Sequence, residues 1–169
     1  MPDTIFSDAE IQRLIRVPKV LPDDWERLLR TRLKKEFAHK KASLEIQTPE
    51  GTFAIIIREN TINTFSFSVI LGFSRPNGSL FRLRRYNGRH GEHVNHLERQ
   101  VVNGFHIHQA TERYQIAGHR EDAFAVVSTE FADMPSALQL MFSQCAFQVP
   151  VVDAPTRGAQ LTLLPLKKD

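Results

Sequence analysis

The sequence predicts an α+β fold, with a single domain in which an antiparallel β-meander of about five strands has helices packed on one face. Three observations lead to this prediction. Helix start signals occur near both ends of the chain, at residues 7–10 and 133–136. Between residues 44 and 110, apolar residues recur with a period of two, which is typical of strands that bury one face. Turn signals rich in glycine, proline and asparagine separate these segments.

The N-terminal part of the chain, residues 1–40, is predicted to form two helices. Ser7 and Glu10 match a capping box, which predicts the start of the first helix. Asp23 and Asp24 supply negative charge at the start of the second helix. Its expected buried stripe consists of Trp25, Leu28, Leu29, Leu33 and Phe37.

The central part, residues 43–147, is predicted to contain the sheet and a last helix that begins at Asp133. Strands are expected at residues 44–46, 53–57, 64–73, 80–87 and 104–110, with a further short strand at 123–127. The predicted core contains Phe65, Phe67, Val69, Leu71, Phe105 and Ile107. Residues 88–103 are expected to form a long loop with one helical turn. Residues 148–169 form a C-terminal tail, in which residues 161–164 are compatible with an edge strand or a homodimer contact.

Composition excludes several classes of protein. The chain has 169 residues and 41% hydrophobic content, which is ordinary for one globular domain. It has no apolar run long enough for a membrane span and no signal peptide at its start. Its single cysteine, Cys145, excludes an internal disulfide framework and a cysteine-rich zinc site. These features favour a cytoplasmic protein without a membrane partner.

Histidine and arginine are concentrated in one part of the chain. Residues 81–109 hold five of the seven histidines and five arginines, but no lysine. Residues 75–120 contain eight arginines and three glutamates, a local charge of +5. This asymmetry favours a polyanionic partner such as RNA, although a solvated basic face gives the same count.

A metal site is one interpretation of these histidines. His106 and His108 alternate on a strand, so both imidazoles project from one face. His90, His93 or His96 would supply a third ligand. However, no carboxylate or cysteine is spaced to complete a tetrahedron, and the neighbouring arginines would repel a cation. We therefore expect no metal or other cofactor.

Acid–base cleavage of a phosphodiester is the second interpretation. Imidazoles can deprotonate a ribose 2′-hydroxyl and protonate the leaving oxygen, so His106 and His108 are the candidate catalytic residues, with His90 as a third member. Arginines suit the charge on phosphate oxygens. The expected substrate-binding residues are Arg82, Arg84, Arg85, Tyr86 and Asn87. Simple alternation places Arg82, Arg84 and Tyr86 on one face of their strand.

Two alternatives remain open at this stage. The histidines could serve a structural purpose, because a buried imidazole can hydrogen-bond the backbone of a long connection. The basic surface could also be a binding module that holds a nucleic acid or an acidic protein without cleaving it.

The central motif resembles small uncharacterised bacterial families. "RRYNGRHGEHVNH" followed by "GFHIH" resembles their Arg-x-Tyr-Asn-Gly…His…Phe-His-x-His core, which is similar to that of TumE-type toxins of toxin–antitoxin modules. The resemblance covers residues 44–147, and its loop at 91–103 is longer than the family pattern. It implies a toxin with a proteic antitoxin as partner. The family motif corresponds to Arg85, Tyr86, Asn87, Gly88, His90, His106 and His108.

Overall fold

The computed structural model describes residues 4–151 and confirms the α+β fold as a single domain. The helices are α1 (Asp8–Arg16), α2 (Trp25–Thr31), α3 (Glu112–Ile116) and α4 (Met134–Gln144). The strands are β1 (Lys19–Val20), β2 (Lys34–Glu36), β3 (His39–Thr48), β4 (Gly51–Asn60), β5 (Phe67–Ser74), β6 (Leu80–Asn87), β7 (His93–Asn95), β8 (Gln100–Val102), β9 (His106–Gln109), β10 (Phe124–Val127) and β11 (Phe147–Gln148). None of the helices described is long and apolar enough to cross a bilayer.

The main sheet has seven antiparallel strands in the order β10-β9-β6-β5-β4-β3-β2. The short strand predicted at residues 123–127 forms one edge as β10, and β2, which was not predicted, extends the other edge. Two smaller pairings accompany it: β7 with β8 as an antiparallel hairpin, and β1 with β11 in parallel. The predicted loop at residues 88–103 therefore contains a β-hairpin, and the helical turn expected there is wrong.

One face of the main sheet carries the hydrophobic core. Ile57, Val69, Tyr86 and Ile107 stand opposite one another on four neighbouring strands, and all four are buried. Helices α1, α2 and α4 cover this face, as predicted. Their buried side chains include Ile11, Leu14, Trp25, Leu29, Leu138 and Met141.

The predicted starts of the first and last helices are confirmed. Ser7 caps α1, its side chain accepts a hydrogen bond from Glu10 N, and the Glu10 carboxylate accepts one from Ser7 N. Asp133 caps α4 in the same way with Ser136, and Pro135 stands in the first turn. Both motifs satisfy backbone N–H groups that have no partner within the helix.

Two aromatic residues that were predicted to be buried are exposed. Phe65 precedes β5, which begins at Phe67, and its side chain is 56% exposed. Phe37 was expected on the stripe of the second helix, but α2 ends at Thr31 and Phe37 lies in the turn between β2 and β3. The predicted strand began before the observed β5, and the predicted helical stripe continued beyond the end of α2. Residues 161–164 lie outside the described residues.

Gly88 allows β6 to end against the backbone that precedes β5. A Cβ atom on Gly88 would lie 2.0 Å from the Phe65 carbonyl oxygen and 2.7 Å from the Phe67 ring. The Gly88 N–H donates to the Phe67 carbonyl at 3.0 Å. Since no other residue fits here, this glycine fixes the position from which the histidine-containing segment leaves the sheet.

Lys19 is a fully buried cation that joins the ends of two helices. Its Nζ lies 2.8–3.2 Å from four carbonyl oxygens, those of Leu14, Ile15, Val17 and Cys145. Burial lowers the pKa of Lys19 to about 8, so the amine is mainly protonated at neutral pH. The ammonium group therefore donates to carbonyls near the C-terminal ends of α1 and α4, where backbone carbonyls run out of partners within the helix.

We expect Lys19→Met to lower the free energy of unfolding by about 3 kcal/mol, because it leaves several buried carbonyls without donors. Urea denaturation of the variant and the wild type measures this difference. Lys41→Met is the matched control, since Lys41 is exposed on β3 and its replacement should cost about 0.5 kcal/mol or less. Equal stability of the two variants would contradict the structural importance of Lys19.

Candidate active site

The candidate site lies where β9 is paired with β6 on one side and β10 on the other. Arg85 of β6 stands opposite His108, and Asn87 stands opposite His106. Residues directly opposite in an antiparallel pair share a face of the sheet. These four side chains therefore lie together on the face away from the helices, since Ile107 between the two histidines is part of the core.

A β-bulge in β6 decides which arginines share that face. The pairing with β5 shifts at Leu83, which is left without a partner between Arg82 and Arg84. Consequently Arg82 and Arg85 lie on the same face of the sheet as His106 and His108. The prediction that Arg82, Arg84 and Tyr86 share one face is wrong, because simple alternation did not include the bulge.

Arg84 and Tyr86 are oriented toward the helical side of the sheet. Tyr86 is fully buried, and its hydroxyl donates to Gln144 Oε1 of α4 at 2.8 Å. Arg84 is half-buried, and its Nε has no hydrogen-bond partner among the described residues. Both were predicted to bind substrate, but the sheet separates them from His106 and His108.

His106 and His108 form a buried pair whose Nε2 atoms lie 3.1 Å apart. Each ring is fixed through its other nitrogen. His106 Nδ1 lies 2.7 Å from the carbonyl oxygen of Gly104, and His108 Nδ1 lies 2.9 Å from that of Asp122. Because a carbonyl oxygen only accepts, both Nδ1 atoms carry hydrogen. In the neutral rings, both Nε2 atoms therefore present lone pairs toward each other.

Burial keeps both rings of this pair neutral. Removal from water lowers the pKa of His106 to about 4. The pKa of His108 is lowered further, first by burial and then by the positive charge of Arg85. Gly104 adopts a φ of +80°, a conformation that favours glycine, and its carbonyl accepts from His106. The segment before β9 thus sets the tautomer of this ring.

Asn87 adds an oriented donor to the pair. Its Oδ1 accepts from Ser68 Oγ at 2.7 Å, which turns its Nδ2 toward the histidines. This Nδ2 lies 3.4 Å from His106 Nε2. Asn87 is fully buried, as expected for a residue that positions another side chain. Asn87 was predicted to bind substrate; the structure places it beside the histidines, where its burial separates it from solvent.

Two further histidines border the pair. His90 is exposed, and the centroid of its ring lies 5.5 Å from that of His106. His93 lies 4.5 Å from His108 between ring centroids, and its Nε2 donates to the Ala123 carbonyl at 2.8 Å. His96 instead stacks on His119 at 5.5 Å, apart from this group. The structure thus brings together four of the histidines, which we call the histidine cluster: His90, His93, His106 and His108.

The arginines on this face are largely paired with carboxylates. Asp122 is fully buried and accepts from Arg85 Nε at 2.8 Å and Arg120 Nε at 2.5 Å. Glu121 accepts from the backbone N–H of Arg82 at 2.8 Å, and the side chains of the two residues form an ion pair at 3.5 Å. The excess positive charge expected from residues 75–120 is therefore reduced by two acids that follow directly in the sequence.

Arg89 is an exposed cation that directly precedes His90 of the cluster in the sequence. It follows Gly88, and its guanidinium lies 5.4 Å from the centre of the Phe105 ring. Among the described residues it has no carboxylate partner, which distinguishes it from Arg82 and Arg85. Sequence reasoning counted Arg89 in the basic stretch but did not select it, because only the fold shows which arginines are already neutralised.

Asp122 is the functional residue that sequence reasoning missed. Its carboxylate holds Arg85 and Arg120, while its carbonyl oxygen holds His108. The available signal was the predicted strand at 123–127, whose pairing with β9 brings the preceding acids to the histidines. Within residues 4–151, no group of three or more histidine, cysteine, aspartate or glutamate side chains is arranged to hold a metal ion.

Comparison with known proteins identifies a family but no function. A family model described as "Family of unknown function (DUF6978)" matches residues 6–148. This match includes every strand of the main sheet and the whole histidine cluster. No curated protein and no solved structure matches the chain.

We expect the neutral state of His106 to make the fold sensitive to acid. Its pKa is lowered to about 4 in the folded chain and is about 6.5 in an unfolded one, so the unfolded chain binds more protons between these values. The unfolding free energy should therefore fall as pH drops through this window, by about 3 kcal/mol from this residue. His106→Gln should remove that part of the pH dependence in urea denaturation. A His106 ring that titrates near pH 6.5 by NMR would contradict this prediction.

Proposed function

The chain belongs to this family of unknown function, and we propose that it is a metal-independent endoribonuclease of the toxin type that uses the histidine cluster. One observation carries the proposal: two buried neutral imidazoles, whose Nε2 lone pairs face each other, lie beside the exposed His90, and the exposed Arg89 precedes His90 in the chain. Neutral imidazole accepts protons, protonated imidazole donates them, and arginine binds phosphate. Cleavage of RNA through its 2′-hydroxyl needs these three functions.

The histidine pair acts as one base in this proposal. With their Nε2 atoms 3.1 Å apart, His106 and His108 are too close to stand on opposite sides of a phosphate. A proton taken up by His106 is instead shared with His108 through an N–H···N hydrogen bond. Asn87 and the Gly104 carbonyl hold the His106 ring in the orientation that this transfer requires.

His90 is the candidate general acid. It is the exposed member of the cluster next to His106, so the leaving oxygen of a bound substrate can reach it. Partial desolvation lowers the pKa of His90, so its protonated form is a stronger acid, although a smaller fraction of the rings carries the proton at neutral pH. Acid and base are then two different units, His90 and the pair, rather than His106 and His108 individually.

Arg89 is the arginine best suited to bind the phosphate. It is exposed and lies on the segment between Gly88 and His90. Arg82 and Arg85 support the site through their positive charge, although Glu121 and Asp122 hold them. The Arg89 guanidinium lies over Phe105, which packs against the core, so this segment contributes a cation to the proposed site and no stacking surface.

RNA is the proposed substrate because the histidine cluster supplies a base and an acid for the 2′-hydroxyl reaction. The resemblance of the central motif to TumE-type toxins supports a toxin–antitoxin setting. In that setting the protein acts in the bacterial cytoplasm, and a proteic antitoxin encoded beside it binds and blocks it.

We expect the purified protein to cleave single-stranded RNA in the presence of EDTA. His90→Ala should lower kcat/KM by about 100-fold, the usual contribution of a general acid. His119→Ala is the matched control, because this exposed histidine is outside the cluster and its loss should leave cleavage unchanged. An RNA with deoxyribose at the cleaved position should resist cleavage.

A non-catalytic binding module gives a different result in the same assay. It binds RNA without cleaving it, with an affinity that falls steeply with salt and on Arg89→Ala but is insensitive to His90→Ala. Absence of cleavage by the wild type across several RNA sequences would reject the proposed enzyme.

We further expect expression of the wild-type chain to stop bacterial growth, and expression of the His90→Ala variant to permit it. Circular dichroism of the variant should match the wild type, because His90 is exposed and its loss leaves the core intact. Co-expression with the neighbouring gene should restore growth. Growth inhibition that persists in His90→Ala would contradict a catalytic origin of the toxicity.

A further inference from the structure

The histidine pair leaves a buried acceptor without a donor. His108 Nε2 faces His106 Nε2, and no N–H or O–H group among the described residues donates to it. Asn87 Nδ2 approaches only the His106 side of the pair, at 3.4 Å. The exposed fractions of His106 and His108 are 0% and 2%, so bulk water does not satisfy these lone pairs. Two lone pairs 3.1 Å apart repel each other, and a positive charge between them would relieve this repulsion.

A divalent transition metal fits the distance between the two nitrogens. Imidazole nitrogen binds Zn²⁺ at about 2.0–2.1 Å, so two ligands of one tetrahedral ion lie about 3.3 Å apart and two neighbouring ligands of an octahedral ion about 2.9 Å apart. The observed 3.1 Å lies between these values. The two rings already stand at a separation suited to two ligands of one ion, so β9 need not change its conformation to bind it.

The surroundings of the pair also match those of metal-binding histidines. Such rings usually donate their second N–H to a carbonyl or carboxylate, which fixes the tautomer and directs the free nitrogen to the ion. Gly104 and Asp122 provide these two carbonyls at 2.7 and 2.9 Å. Imidazole ligands select zinc, copper and related ions over Mg²⁺ and Ca²⁺.

We propose that a single Zn²⁺ ion binds between the Nε2 atoms of His106 and His108 and reversibly inhibits the protein. Only two protein ligands are arranged for it, and Arg85 and Arg120 lie nearby, so affinity is moderate. The bound ion occupies the lone pairs that accept the proton during cleavage. Inhibition therefore rests on the proposed function, whereas metal binding does not.

Zinc binding by the purified protein, without a histidine tag, tests the proposal directly. Calorimetric titration with ZnCl2 at slightly alkaline pH should give one ion per chain. His106→Gln and His108→Gln should each weaken this binding at least about tenfold, because each removes one of the two ligands. His119→Ala should bind zinc like the wild type. Equal binding by both pair variants and the wild type would overturn the assignment.

Nitrogen NMR of the wild type gives a second readout that does not depend on any variant folding. In the metal-free protein both Nε2 atoms should have the shift of unprotonated imidazole, and ZnCl2 should move both together. A proton found between the two nitrogens that zinc does not displace would overturn the proposal.

Measuring RNA cleavage and zinc binding on the same protein preparation distinguishes failure of the proposed nuclease from failure of the proposed zinc site. RNA cleavage that zinc stops and EDTA restores supports both. Cleavage by a wild type that fails to bind zinc at the pair rejects the metal site alone. Zinc bound at the pair in a protein that cleaves no RNA keeps the metal site and rejects the proposed nuclease.

Discussion

The alternation of side chains across β5, β6 and β9 is the constraint on which the site depends. Ile107 must face the helices, because its partners across the sheet are part of the core. The two histidines beside it are then forced onto the opposite face. A register slip of one residue would bury His106 and His108 against the helices and expose Ile107. Packing of the helices on one side of the sheet thereby fixes which side chains stand on the other side.

After the strand register has placed the histidines on one face, the turn before β10 orients the His108 ring through Asp122. Asp122 is fully buried, and its carboxylate lies between two guanidinium groups. Such a carboxylate is costly to remove from water unless it is paired, so this position of the chain is fixed by its partners. The fixed backbone in turn offers its carbonyl to His108. One residue therefore links the charge balance of the face to the tautomer of the histidine pair.

The sequence predicts local features of this protein well and long-range ones poorly. The bounds of β6 match the predicted strand because strong turn signals stand on both sides of it. The bulge at Leu83 was not predicted, since it arises from the pairing with β5 and has no signature within β6. The Arg85–Asp122 ion pair spans 37 residues and likewise follows only from the fold. The short helix α3, at five residues, offers too few positions for a periodic pattern.

Buried polar side chains in this molecule are of two kinds: those whose hydrogen-bonding groups are all satisfied, and those whose groups are not. Lys19 is fully buried, but each of its N–H groups meets a carbonyl, so its burial is compensated and it needs no ligand. His106 and His108 are buried to the same degree, yet their Nε2 lone pairs face each other, and only that of His106 has a donor near it, Asn87 Nδ2 at 3.4 Å. An unsatisfied buried acceptor costs about 1–3 kcal/mol, which an apolar pair on the same strand would avoid. Local conflicts of this kind concentrate where a ligand or substrate resolves them. The histidine pair is therefore a place in the described fold where stability is lower than the architecture allows, and it is the place where we propose that a proton or a metal ion binds.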